Sequence, residues 1–370
     1  MRQRTGIKSI RSSVHNVNLK VPLVDKAVGN RSIVFCQVET TDGTVGYGMT
    51  EYFLTHAVKA AIDHHFAPLM IGMDLTDIEK IHHRVGSILN PRAMTGVVSC
   101  ALSCLDIALW DAHGKIAGKT VAALLGGFRD HAEAYVTFGF PSYDLDGLVE
   151  AAKHQLKLGA RRLKMVVAAH PEGWKEDVRR VRAVRDTIGP DIELMCDANY
   201  EFSPPDARLF AQAVEECDLS WFEEPLWQND ARALATLRGQ IRIPISAGQM
   251  EGSRWRFREF VEHQALDLLQ PNCAFVGGYT ECRKVAHLGQ AYNLPIAHGG
   301  GLASLNLHVM CAFMNGTTIE IYNGAQFSEN YIWKNIPAID MKSQTVKLFD
   351  APGIGLEPNH EFLKDSETKV

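Results

Sequence analysis

Apolar and polar positions divide the chain into two grammars. Over residues 33–40 (IVFCQVET) the side chains are mostly β-branched or aromatic. Asp42-Gly43 follows as a turn and residues 44–48 resume the run, which predicts a β-hairpin. Helical spacing then takes over at 56–71, 76–89 and 96–118. The last of these, GVVSCALSCLDIALWDAHGKIAG, is apolar on every face and predicts a buried helix. Leu124-Leu125-Gly126-Gly127 closes this first unit.

From residue 131 short apolar strands alternate with amphipathic helices. Strands are predicted to begin at Glu133, Arg162, Ile192, Leu219, Ile243, Leu266, Leu294 and Thr318, with helices such as 174–187 and 205–216 between them. Alternation of this kind means βα units around a parallel sheet. Seven strand–helix units and a final strand, within about 190 residues, suit a closed (β/α)7β barrel of the TIM type. An open nucleotide-binding sheet would need a Gly-x-Gly-x-x-Gly turn after an early strand, and the sequence has none. The expected domains are residues 1–128, covered by a returning tail at 329–370, and the barrel at 129–328.

Composition narrows the class. With 46% hydrophobic and 22% charged residues, the 370-residue chain reads as an ordinary globular protein that needs no disulfide staple. A net charge of -5 argues against nucleic acid or an anionic membrane as partner. Eight cysteines without a Cys-x-x-Cys pair fit reduced thiols, and MRQRTGIKSIRSS lacks the apolar stretch of a secretory signal. Both point to the cytoplasm.

Active sites of such barrels lie at the C-terminal ends of the strands. Read there in order, the chain offers Lys164, then Asp197 and Asn199, then Glu223, Gln249, Asn272, His298 and Glu320. Asp197 to Glu223 is 26 residues and Glu223 to Gln249 is again 26, about one βα unit each. Three hard oxygen donors would therefore stand on adjacent strand ends, where they can hold Mg²⁺. Lone acidic residues at strand ends are more often caps or ion-pair partners; the register of three is what favours a metal. The glycine run Gly299-Gly300-Gly301 after His298 suits close approach of backbone to a ligand.

In these motifs the chain resembles the mandelate racemase and muconate lactonizing enzyme group of the enolase superfamily. The resemblance is carried by Ala101–Asp111 (ALSCLDIALWD), Leu124–Gly127, Asp197-Ala198-Asn199 and Trp221–Pro225 (WFEEP). Ala247-Gly248 and Pro271 through Gly278 complete it. It implies an α+β capping domain on a modified barrel, and removal of a proton α to a carboxylate with Mg²⁺ stabilising the enediolate. It also implies substrate selection by the capping domain around residues 21–30 and Tyr52, and a homo-oligomer between dimer and octamer.

Three positions depart from the family pattern. Val166 stands where the second lysine of a Lys-x-Lys pair usually acts as base, leaving Lys164 to neutralise the substrate carboxylate or to serve as base itself. Gln249 replaces an acidic third metal ligand and brings no charge, with Glu251 two residues on as a substitute. Asn272 replaces the aspartate that usually orients the histidine after the seventh strand, so His298 would lack a charged partner. His298 and Lys164 are the expected proton-transfer pair, Glu320 binds the enediolate or joins the acid machinery, and Asn199, Asn272, Tyr52 and His170 are expected near substrate.

The leading expectation is a Mg²⁺-dependent lyase that dehydrates an aldonate- or aldarate-like sugar acid. An epimerase, racemase or cycloisomerase is the alternative; Val166 disfavours a two-base racemase, and an epimerase or cycloisomerase would use Lys164 and His298 on opposite faces. The third reading is a homologue that binds a small carboxylate without turning it over.

Overall fold

The computed structural model describes residues 5–51, 53–89, 95–168 and 170–368. The chain opens on an antiparallel sheet of β1 (Ile7–Leu19), β2 (Gly29–Thr40) and β3 (Val45–Glu51), in that order. The β2–β3 hairpin turns at the expected place: Gly43 takes φ 87° and Asp42 accepts from the Thr44 N–H at 3.1 Å. The pattern did not foretell β1. It carries Lys8, Arg11 and three serines with polar partners, Ser9 bonding across the sheet to Glu39 at 3.0 Å and Ser12 to Asp63 at 2.6 Å, so apolar side chains thin out on that strand.

The apolar run forms one helix, Val97–Ala117, lying between this sheet and the barrel. It is long and apolar enough to cross a membrane, but 72% of its apolar window is buried inside the protein. Two glycines of β3 let it lie flat. A Cβ on Gly46 would fall 2.0 Å from the Ala108 carbonyl oxygen, and one on Gly48 2.0 Å from that of Cys104. Its polar residues rivet the two units together. Ser103 accepts from the N–H groups of Gly277 and Gly278, Asp106 from Thr280, and the Trp110 indole donates to Thr280 at 2.9 Å. Asp111 accepts from Tyr47 of β3 and Ile354 of the tail, both at 2.9 Å. A helix apolar all round thus keeps four polar side chains because each closes a buried seam.

The barrel strands are β4 (His131–Phe138), β5 (Arg162–Val166), β6 (Glu193–Asp197), β7 (Leu219–Glu223), β8 (Ile245–Ala247), β9 (Leu268–Leu269) and β10 (Thr318–Ile321). They pair in parallel, β10 closing onto β4. The strand expected at Leu294 is reduced to bridges from Ile296 to Leu269 and to Gly316, which still complete the ring. Period-two alternation sorts the strands: Leu163, Met165, Leu194, Cys196, Phe222 and Ile319 pack outward into the main core. Inward, Tyr135, Met195 and Trp221 form an apolar plug with Leu268. One step toward the C-terminal rim stand Lys164, Asp197, Glu223 and Glu320.

The tail divides between the units. Residues 328–338 and 353–368 lie against the first unit, with the Thr368 N–H donating to the Val14 carbonyl at 2.8 Å and the Tyr331 hydroxyl to that of Asn18 at 2.8 Å. Between them β11 (Ile339–Asp340) and β12 (Thr345–Lys347) form a hairpin whose β12 pairs antiparallel with β4. Capping of the barrel edge, which no apolar run announces, places that stretch with the barrel.

Gly48→Ala should cost about 3 kcal/mol or more through overpacking against the buried helix, beyond the 0.5–1 kcal/mol an alanine ordinarily gains in a strand. Urea unfolding of the two proteins measures it; an unchanged midpoint would show that the helix can lift off β3.

Candidate active site

The inward layer at the rim is organised around Lys164. Its ammonium has no solvent exposure and lies 2.6 Å from Glu223 Oε1, 3.0 Å from Glu320 Oε1 and 3.2 Å from Asp197 Oδ2. The Tyr135 ring stands 5.2 Å away, with its hydroxyl donating to the His298 carbonyl at 2.6 Å. The remaining oxygens are held too. Trp221 Nε1 donates to Glu223 Oε2 at 3.1 Å, the Asn199 N–H to Asp197 Oδ1 at 2.9 Å, and the Gly301 N–H to Glu320 Oε2 at 3.2 Å.

Three carboxylates against one ammonium leave a buried surplus of negative charge. Burial works against the Lys164 charge, yet Glu223 and Glu320 outweigh it and hold the ammonium well above the usual lysine range. Glu320, opposed by burial but favoured by Lys164 and His298, is held down at about 2. Glu223 is pushed up, by burial first and by Asp197 and Glu320 in addition. An added cation would relieve that surplus.

Gln249, on the loop after β8, turns its Nε2 to Glu224 Oε2 at 2.8 Å. Its Oε1 faces the site: a methyl built on Gly299 would lie 2.9 Å from Gln249 Oε1 and 2.8 Å from Glu223 Oε1, so both oxygens converge on the glycine loop. Glu224 also accepts from the Gly248 N–H and from Asn229 Nδ2, each at 3.2 Å. Burial and the nearby Asp197 raise its pKa to about 8, although all three neighbours are donors, the surroundings of an ionised carboxylate. Glu251 turns away, to Asn229 and Arg256. Gln270, fully buried beside the same point, has no hydrogen-bond partner for either amide atom, and neither has the buried Ser246 hydroxyl. Sequence reasoning passed over Glu224, Gln270 and Ser246, because neutral or second-in-line residues gave no pattern signal there.

Among the described residues no three His, Cys, Asp or Glu side chains form a metal cluster alone. The donor set fits a divalent cation nonetheless. Two carboxylates and an amide oxygen converge, a cation already bridges Asp197 and Glu223, and unpartnered polar groups line the same space.

His298 is fully buried, and both ring nitrogens are engaged by backbone. Nε2 donates to the Gly301 carbonyl at 2.7 Å, and Nδ1 accepts the Glu320 N–H at 3.2 Å, which fixes the neutral Nε2–H tautomer. Burial lowers its pKa to about 4. Asn272, in the place of an orienting aspartate, does not bond to the ring. Asn272 instead donates to the carbonyls of Gly299 (2.9 Å) and Gly301 (3.2 Å) and accepts from Ala274 and Asn306. An amide needs carbonyl acceptors, and the glycine loop supplies them.

Asn199 is exposed at φ 43°, and His170 keeps to its own loop, where Nδ1 accepts the Glu172 N–H at 3.3 Å. Tyr52 lies outside the described residues. From the capping sheet the ion pair of half-buried Arg31 with buried Glu51, 2.6 Å apart, reaches Gly301. A cavity of about 810 Å³ lined by His82, Arg254 and Trp255 lies along the seam between the units and shares no residue with the Lys164 cluster.

The family model for the mandelate racemase / muconate lactonizing enzyme N-terminal domain matches residues 9–126, and that for the enolase C-terminal domain-like unit matches 147–362. The chain belongs to the mandelate racemase and muconate lactonizing enzyme group of the enolase superfamily. It is 30% identical over 330 residues to arabinonate dehydratase of Saccharolobus solfataricus, covering 87% of each chain. It is 28% identical over 372 residues to D-galactarolactone cycloisomerase of Agrobacterium fabrum, covering 97% of this chain and 98% of that one. A crystal structure of a racemase from Streptomyces coelicolor A3(2) with bound magnesium matches with TM-score 0.90 at 28% identity, over 98% of this chain and 100% of that one.

Lys164→Met should cost about 3–5 kcal/mol in the presence of a chelator, because it leaves three carboxylates buried without a counter-charge. Their folded-state pKa values would then exceed the unfolded ones, so the folded state holds extra protons and the variant loses stability as pH rises from 5 to 8. Urea titrations across that range should show the deficit widening; a deficit independent of pH would mean that the carboxylates do not depend on Lys164.

Proposed function

We propose that this protein is a Mg²⁺-dependent hydro-lyase that removes the proton α to a carboxylate and dehydrates a sugar acid. The observation that carries the reading is the placement of Asp197, Glu223 and Gln249 on consecutive strand ends beside a fully buried Lys164. The acid-sugar substrates and the magnesium named for its relatives support it. In the same reading the enzyme is cytoplasmic, acts on a small carboxylate and assembles as a homo-oligomer.

Asp197, Glu223 and the Gln249 amide oxygen would hold the ion. When bound, Mg²⁺ supplies positive charge against the developing enediolate. Lys164 stays charged, which suits it to neutralise the substrate carboxylate rather than to accept a proton. Glu320 stays ionised and fixes Lys164 and the Gly301 amide. Proton transfer falls to His298. In the tautomer held by Gly301 and Glu320 the ring is neutral with its proton on Nε2. It must therefore release these backbone partners to expose an unprotonated nitrogen, accept the α proton as an imidazolium, and return that proton to the departing hydroxyl, which leaves as water. With Val166 opposite, no second base serves the other face, which favours elimination over inversion.

One observation favours a second reading. No basic nitrogen among Lys164 and His298 is free, so the site can bind a carboxylate without turning it over. Incubating the protein and Mg²⁺ with mono- and diacid sugars, and scoring 2-keto acid formation, separates the readings. Dehydration should appear and should fall by about 10²–10⁴ in kcat for His298→Asn, while substrate binding by calorimetry is retained. Ring-opened or epimeric products would assign an isomerase, and binding without product would assign a carboxylate-binding protein.

A further inference from the structure

An acidic ligand can meet a cation with either oxygen, whereas an amide has a right and a wrong way round. In Gln249 the choice is made on the side away from the cation. Its Nε2 donates to Glu224 Oε2 at 2.8 Å, and Glu224 Oε1 is claimed by the Gly248 N–H and Asn229 Nδ2 at 3.2 Å each. Glu224 is fully buried, and the left-handed backbone there (φ 43°) follows directly on Glu223, so neighbouring residues serve opposite sides of one loop. Reversing the Gln249 amide would set its oxygen against a carboxylate oxygen at hydrogen-bond distance, while its Nε2 would face Glu223 and Gly299.

We propose that Glu224 is a positioning residue that locks the Gln249 amide so that oxygen, and not nitrogen, faces the cation held by Asp197 and Glu223. This rests on the metal-binding reading above and deepens it. The carboxyl group that an acidic third ligand would bring stands behind the amide instead, at Glu224, and the amide turns its oxygen outward in answer. The two positions form a matched pair: an acid at 249 with Glu224 retained would oppose two carboxylates across a hydrogen-bond distance.

Magnesium calorimetry at pH 8.5 and melting curves in chelator, on wild type, E224Q, Q249E and the double variant, test the pair. In E224Q the Oε1 position keeps its two donors, so the new amide nitrogen faces Gln249 and turns that amide round. Magnesium affinity should fall about 10–100-fold with melting within a few degrees of wild type. Restoring complementarity in E224Q/Q249E should bring the affinity back to wild type or tighter. Q249E alone should melt lower in chelator, and the double variant should recover. An E224Q chain that folds only when Q249E accompanies it supports the pair equally. The proposal is overturned if E224Q binds magnesium like wild type, if the double variant binds no tighter than E224Q, or if Q249E and the double variant melt alike. No magnesium binding by wild type overturns the metal reading instead, and the melting comparison in chelator then decides the pair alone.

Discussion

A lysine ammonium without solvent contact is the constraint around which this barrel is arranged. Moving such a charge out of water is tolerable only when opposite charges and hydrogen bonds surround it closely. Glu223, Glu320 and Asp197 do so from three strands, and each strand must then end in register with its neighbours. The apolar plug of Tyr135, Met195 and Trp221 beneath the cluster excludes water from below and lends it an aromatic face and an indole donor. The strand ends and the polar layer therefore determine one another. The rim beyond carries positive φ values at Asn199, Glu224 and Ser253, backbone that only a well-determined surround maintains.

Much of this was legible in the residue pattern. The barrel, the buried helix and the acidic strand ends follow from period-two and period-3.6 spacing and from the regular length of one βα unit. Strand β1 escaped because serines and charges stabilise it across the sheet, and the β11–β12 hairpin because two short strands leave no periodic signature. The site was legible by strand position but not by orientation. Nothing in the order of residues tells that Asn272 grips the glycine loop while His298 is held by Gly301 and Glu320, since that depends on which way each loop folds back. Glu224 stood in plain view beside Glu223, yet its role exists only through a contact 25 residues away.

The helix Val97–Ala117 shows how family-marking residues can be structural. Ser103, Asp106, Trp110 and Asp111 belong to the stretch that carries the family resemblance; the first three bond across to the barrel unit, and Asp111 ties the helix to β3 and the tail. Their contribution to function is to fix the capping sheet, and with it Arg31 and Glu51, over the barrel mouth.

The grip of Asn272 carries a consequence for the glycine loop. Its amide nitrogen donates to two loop carbonyls, a task an aspartate cannot perform, since it would present oxygen to oxygen. A side chain on Gly299 would collide with Glu223, Gln249 and Gln270, and one on Gly300 would crowd Gln249 and Asn272. An ionised aspartate at 272 would therefore require this loop in another shape. Amide and loop are thus interlocked: each supplies what the other's shape requires, and neither can change alone without leaving a buried polar group unpaired.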